Sequence, residues 1–380
     1  MAPKILVVDD EPDLEQLIKQ KFRKEIKNNT YDFTFAENGV QALEELKMHN
    51  GIELVLTDIN MPEMDGLTLL SEMQNLNNPL LRSVIVSAYG DIANIRTAMN
   101  RGAYDFVIKP IDLNDLEITI TKALADLKTL KEAFKSREDL IIVQKELEEA
   151  RQLQLSMLPK ELPKNNDLDI AVHMKTATEV GGDYYDFSRL EDGSLNVGIG
   201  DATGHGMNAG IMVSVMKALF TSKSIGMNIL DFFSSSNNAI KQMNLGRMMM
   251  AFTMLNIKDG KLKLGNAGMP PVYIYRQSNS KIEEIEFTGM PLGAMADANF
   301  EVNELDIQSE DTLLMLSDGL PELKNESNEM YGYDRIKTEF QLVGGKGPEE
   351  IIEHLKDTAS DWVNGKGPED DVTFVVIKVK

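Results

Sequence analysis

The 380-residue chain contains no cysteine. Disulfides, thiolate nucleophiles and cysteine zinc sites are thereby excluded, and the simplest setting is a reducing cytoplasm. Long hydrophobic runs are missing too. The longest apolar stretches, such as Ile5 to Val8 and Thr312 to Leu316, are strand-sized, and the amino terminus runs into the first of them without a signal-peptide pattern. A soluble, cytoplasmic protein with no membrane partner is expected. Positive charge is scarce, with 39 Lys and Arg against 61 Asp and Glu and a formal charge of −22. Such a balance repels nucleic acid and anionic lipid, and no segment concentrates basic residues or carries a helix-turn-helix pattern, so direct DNA binding is not expected. What is present is enough apolar residue, 42% of the chain, to build two globular domains and a connector. Acid recurs at the ends of the apolar runs.

From Lys4 to about Ala123, short apolar runs alternate with longer amphipathic ones, the pattern of βα units feeding a five-stranded parallel sheet, an α/β doubly wound domain. Strands are expected at Ile5 to Val8, Phe33 to Ala36, Leu54 to Thr57, Ser83 to Val86 and Phe106 to Ile108. The carboxyl ends of such strands converge on one crevice, which gathers Asp9, Asp10, Asp58, Ser87 and Lys109. Carboxylates forced together repel unless a hard cation sits among them, and Mg²⁺ suits an all-oxygen, partly hydrated site. With that ion bound, Asp58 can attack a phosphoryl donor, Lys109 can neutralise the transferred oxygens, and Ser87 can donate its hydroxyl to the new phosphate. The plainer alternative is an Asp58 that only ends a strand and caps the next helix.

The motifs VVDDEP at Asp9 and Asp10, LTDINMPEMDG at Asp58, VSA at Ser87 and IKP at Lys109 resemble the response-regulator receiver family, over residues 1–123. The resemblance implies that Asp58 is the phosphoacceptor, with Asp9, Asp10, Asp58 and the Asn60 carbonyl holding the metal. It also implies that Ser87, Phe106 and Lys109 form the switch, and that the partner is a sensor histidine kinase.

A helix is expected to start near Asp112, and the chain then shows neither Pro nor Gly until Pro159. Leu113, Leu116, Ile120, Ala123, Leu127, Leu130 and Phe134 follow coiled-coil spacing. A second seam runs through Leu140, Val143, Leu147 and Ala150, and the six-residue step between the two breaks the heptad near Ser136. A helical coiled-coil linker over residues 124–160, joining two copies as a homodimer, is expected. A solvated spacer whose leucines pack on the next domain is the alternative.

Residues 161–380 change texture to strand-like runs such as Leu195 to Ile199, Met250 to Ile257, Lys261 to Leu264 and Val272 to Tyr275. Helices are expected at Gly210 to Ser222 and Gly347 to Trp362, an α+β domain of antiparallel sheets flanked by helices. The motifs EVGGDYYDF, GDATGHGM, LSDGL and EDDVT supply Asp183, Asp201, Asp318 and Asp370. Carboxylates without His or Cys partners select hard ions, and two Mn²⁺ or Mg²⁺ ions can activate a water for in-line attack on a phosphoryl group. His205 is expected to order its glycine turn rather than bind metal, and four ordinary Asp-Gly turns are the plain alternative.

These motifs resemble the PPM-type (protein phosphatase 2C-like) serine/threonine phosphatases, in the bacterial branch of sporulation and stress regulators. The resemblance implies that Asp201 bridges both metals, Ala202 lends its carbonyl to one of them, Asp318 and Asp370 complete the coordination of the other, and Asp183 binds a metal or its water. Asp371 is a weaker candidate. Met269 stands where the branch usually has His, and Thr203 where it has Ser. The implied activity is metal-dependent dephosphorylation of a phosphoserine or phosphothreonine protein, such as an anti-sigma factor antagonist, controlled by phosphorylation at Asp58. The competing expectation is a catalytically weak phosphatase-like domain that sequesters a partner under receiver control.

Overall fold

The computed structural model describes residues 2–49, 51–88 and 92–380. The chain divides into two compact units, Met1–Ile142 and Val143–Lys380. The first unit alternates β1 (Lys4–Val8), α1 (Pro12–Lys21), α2 (Arg23–Lys27), β2 (Asp32–Ala36), α3 (Gly39–Met48) and β3 (Ile52–Asp58). It continues with α4 (Gly66–Asn75), β4 (Arg82–Ala88), α5 (Ile92–Asn100), β5 (Asp105–Lys109) and the start of α6 (Leu113–Met157).

Its five strands pair in parallel in the order β2-β1-β3-β4-β5, as the sequence pattern requires. Alternation divides β1 between two cores: Ile5 and Val7 pack with α1 and α6, while Leu6 and Val8 pack with α3 and α4. A strand covered on both faces has no polar side, which is why VVDD is preceded by an unbroken apolar run.

The early part of α6 departs from its expected use. Leu116, Ile120 and Ala123 belong to the core of the first unit, and Leu127 is also buried. Three-four spacing marks any amphipathic helix, and here a sheet of the same chain covers the stripe before a second copy can. The second seam is different, because Leu140 and Val143 are exposed, along with Ile141, Ile142 and Leu153.

The second unit contains β6 (Leu168–Lys175), β7 (Asp183–Arg189), β8 (Leu195–Ala202), α7 (Met207–Lys223), α8 (Ile229–Gln242), β9 (Met250–Lys258), β10 (Lys261–Ala267) and β11 (Val272–Arg276). These are followed by β12 (Lys281–Ile285), β13 (Val302–Asp306), β14 (Thr312–Leu316), α9 (Tyr333–Val343), α10 (Pro348–Trp362) and β15 (Val372–Val379). Two antiparallel sheets, β13-β10-β9-β8-β7 and β12-β11-β14-β15-β6, share an apolar interior through Val197, Ile199, Leu313, Met315 and Val375. Helices α7 and α8 cover the outer face of the first sheet, and α9 and α10 that of the second. In β14, Leu313 and Met315 face the partner sheet while Leu314 and Leu316 face the helices. In β8 two of the outward positions are Gly198 and Gly200, where a Cβ would collide with the Phe252 ring. These glycines admit the aromatic cluster Phe220, Phe232 and Phe252 beneath the helices.

Candidate functional site

In the first unit, parallel pairing brings the ends of β1, β3 and β5 together. Asp9, Asp10 and Asp58 each offer an oxygen within 4.8 Å of the others, a spacing suited to one divalent ion. Lys109 Nζ lies 2.7 Å from Asp58 and 3.0 Å from Asp9. Burial acts against the lysine's charge, but the two carboxylates outweigh it and hold its pKa above the ordinary value. Burial raises Asp9. Asp58 Oδ1 accepts from the Ile59 amide at 2.6 Å, so its second oxygen faces Lys109. Ser87 is fully buried and its hydroxyl has no partner, an orphan polar atom of the kind that a bound ligand satisfies. Phe106 is partly exposed on β5. Asp65 caps α4 by accepting from the Thr68 amide, and Gly66 is required because a Cβ there would overlap the Asp58 carbonyl.

In the second unit the four aspartates converge from both sheets. Asp183 and Asp201 lie directly opposite each other in the β7–β8 ladder, a register that turns both carboxylates to one face. Asp318 follows β14 and Asp370 precedes β15, and these two strands are neighbours. Burial lifts Asp201 to about 8, reinforced by the charges of Asp318 and Asp370. Asp318 is lifted to about 6 by burial, then by Glu322 and Asp370. Asp183 is raised by complete burial and then by Asp201. One Asp183 oxygen accepts from the Ser317 hydroxyl at 2.8 Å, whereas Oδ1 has no partner. A Cβ on Gly182 would crowd Ala202 O and Asp201 Oδ1, so the glycine keeps a cradle open beside them. An all-oxygen, electrostatically frustrated set with an orphan buried oxygen fits hard divalent ions. Among the described residues this set is not drawn as tightly as the one at Asp58.

Asp371 braces the segment that carries Asp183, accepting from the amides of Ala177, Gly182 and Asp183. His205 is exposed between Gly204 and Gly206, both at positive φ. Thr203 accepts from the Met249 amide at 3.0 Å, and Asn266 ties down the turn containing Met269.

Three contributors carry no motif of their own. Ser317 sits beside Asp318 in LSDG, where adjacency is its only signal. Glu322 adds charge at Asp318 and Asp201. Gln154, near the end of α6, is buried and grips Gly181 at both ends of its amide, Nε2 donating to the carbonyl at 2.6 Å and Oε1 accepting from the amide at 3.0 Å. Nothing in RQLQLSM distinguishes it from a solvated helical glutamine.

The carboxylate frustration has a measurable consequence in protein stripped of divalent ions. Folded Asp201 keeps its proton up to about pH 8, whereas an unfolded Asp loses it near 3.8. The folded state therefore binds more protons in between, and its stability falls as pH rises through that window, by an amount on the order of a few kcal/mol. Thermal unfolding in EDTA is expected to give a lower Tm at pH 8.5 than at pH 6, and excess Mn²⁺ is expected to remove most of the difference.

Residues 5–121 match the response regulator receiver domain, and residues 191–380 match Stage II sporulation protein E (SpoIIE). The chain is 38% identical over 124 residues to the chemotaxis protein CheY of Bacillus subtilis, covering 33% of this chain and 99% of CheY. It is 24% identical over 242 residues to the phosphoserine phosphatase RsbU of Bacillus subtilis, covering 63% of this chain and 71% of RsbU. Protein IcfG of Synechocystis is 24% identical over 262 residues, 61% of this chain but 41% of IcfG, so the chain spans about two fifths of that relative's length. Among solved structures, the SiaA-PP2C domain of Pseudomonas aeruginosa superposes with a TM-score of 0.56 at 16% identity, over 64% of this chain and 99% of that domain, a likeness of fold.

Proposed function

The chain belongs to the stage II sporulation protein E (SpoIIE) family and carries a response regulator receiver domain ahead of the matched region, and from that premise we propose a receiver-controlled, metal-dependent protein serine/threonine phosphatase. Residues 1–123 form the input, 124–160 the linker and 161–380 the output. Asp58 takes a phosphoryl group from a sensor histidine kinase, with Asp9, Asp10 and the Asn60 carbonyl holding Mg²⁺. Lys109 and Ser87 receive the new phosphate, and Phe106 responds to it. In the output, Asp183, Asp201, the Ala202 carbonyl, Asp318 and Asp370 hold two Mn²⁺ or Mg²⁺ ions. Those ions supply a nucleophilic water at neutral pH and neutralise phosphoryl charge. Asp371 and Ser317 keep Asp183 oriented, and Gly182 leaves space beside Asp201. The substrate is a phosphoserine or phosphothreonine protein in the cytoplasm, such as an anti-sigma factor antagonist, and the exposed stripe from Leu140 to Leu153 pairs two copies.

The observation that carries the control is the Gln154 amide clamped on Gly181, two residues before Asp183. Any rotation of the end of α6 must move that backbone or break two buried hydrogen bonds. Gln154→Ala is expected to lower phosphatase activity by about tenfold and to weaken Mn²⁺ binding, as loss of support for a metal ligand does. Activity against Mn²⁺ concentration checks this. The whole reading is tested by assaying phosphoprotein hydrolysis with and without beryllofluoride, which mimics an aspartyl phosphate. A rate and an oligomeric state that both ignore the mimic would sink the coupling.

A further inference from the structure

Beside Asp318 opens a groove of about 800 Å³, bounded by the Gly268–Pro271 turn, the end of β12, the segment after β14 and the start of α9. Its lining carries five carboxylates, Glu284, Glu286, Asp318, Glu322 and Asp334, against one ammonium, Lys337. That ammonium is already engaged, 3.0 Å from Glu284 and 3.3 Å from Asp334. Glu286 and Glu322 are exposed and have no cation partner among the described residues. The groove shares Asp318 with the set of four aspartates, and the charges of Asp318 and of Glu322, which also lines it, both reach Asp201, so the acidic lining adjoins the candidate phosphatase centre. Divalent ions at the aspartate set would neutralise Asp318, while Glu286 and the excess of Glu284 and Asp334 over Lys337 leave the rest of the lining net negative.

We propose that this groove holds the polypeptide flank of the phosphorylated residue and selects substrates in which that flank bears Lys or Arg. The inference rests on the phosphatase reading above and deepens it. A single phosphoserine is gripped by the metal centre, whereas the next residues of the substrate run along a lining in which carboxylates outnumber the one ammonium, in a chain whose formal charge is already −22. An acidic flank meets repulsion there, and a basic one gains attraction. The Tyr333 side chain, partly exposed in the lining, offers a flat face over which an aliphatic Lys or Arg stem can lie.

The test uses the full chain with Mn²⁺ and two phosphoserine peptides identical except for Arg or Glu at the flanking positions. The basic peptide is expected to be hydrolysed with a kcat/KM about tenfold higher, mostly through KM, and the ratio should shrink as salt rises. In the Glu286→Lys, Asp334→Lys double variant the ratio should fall to one or invert, and because it compares two substrates on one protein it is insensitive to partial loss of fold. Hydrolysis of p-nitrophenyl phosphate separates the two levels of failure. A chain that cleaves it yet treats both peptides alike, or a double variant that keeps the wild-type ratio, overturns the groove assignment alone. A chain that cleaves neither small ester nor peptide overturns the phosphatase reading and the groove with it.

Discussion

Asp201→Asn is expected to lower Mn²⁺-dependent phosphatase activity by a factor on the order of 10³, the loss that accompanies removal of about 4 kcal/mol of metal-supplied transition-state stabilisation. Asp201 earns this weight from its position. It ends β8 opposite Asp183, its carboxylate crowds the glycine cradle, and the charges of Asp318 and Asp370 both reach it. Asn keeps the shape and hydrogen-bonding reach but removes the anion. The same substitution should stabilise the metal-free protein at pH 8, since a buried carboxylate that resists ionisation is replaced by a neutral amide. Lower activity with a raised Tm in EDTA therefore separates a lost ligand from a lost fold. Unimpaired hydrolysis by the variant would end the assignment of Asp201.

Asp58→Asn is expected to abolish covalent labelling of the chain by a small phosphodonor such as acetyl phosphate. The oxygen proposed as acceptor is Oδ2, 2.7 Å from Lys109, and an amide in its place has no nucleophilic carboxylate to form an acyl phosphate. The ratio of phosphatase rates with and without beryllofluoride should collapse to one in the same variant. Ser87→Ala gives a useful contrast: labelling should survive, because the hydroxyl is not the acceptor, while the response to the label should weaken. The Ser87 hydroxyl is buried without a partner, and a phosphate on Asp58 is expected to engage it. Labelling of the Asp58→Asn chain at the wild-type level would mean that another residue is the acceptor.

How much of this was legible in the chain depends on range. The parallel sheet was readable because strands buried on both faces leave unbroken apolar runs, and the acids that end those runs must meet wherever strand ends meet. Asp9, Asp10, Asp58 and Lys109 accordingly lie together. The paired antiparallel sheets were readable from turn chemistry and strand-sized runs. The early stripe of α6 misled for a physical reason: Leu116, Ile120 and Ala123 have the spacing of a coiled coil, but spacing reports an apolar face and not what covers it.

The sequence by itself determined the chemistry available to this protein: no thiol, hard oxygen ligands, a carboxylate cluster at strand ends with its lysine, and a second set of aspartates in glycine-rich turns. Only the tertiary structure decided which groups share an environment. The opposition of Asp183 to Asp201, the bracing of Asp183 by Asp371 and Ser317, and the clamp of Gln154 on Gly181 all join residues far apart in the chain or unmarked by any motif. Composition and periodicity are local, whereas burial, hydrogen-bond partnership and the sign of charge along a groove are properties of space, and these are what raise Asp201 and turn a row of ordinary glutamates into one wall beside Asp318.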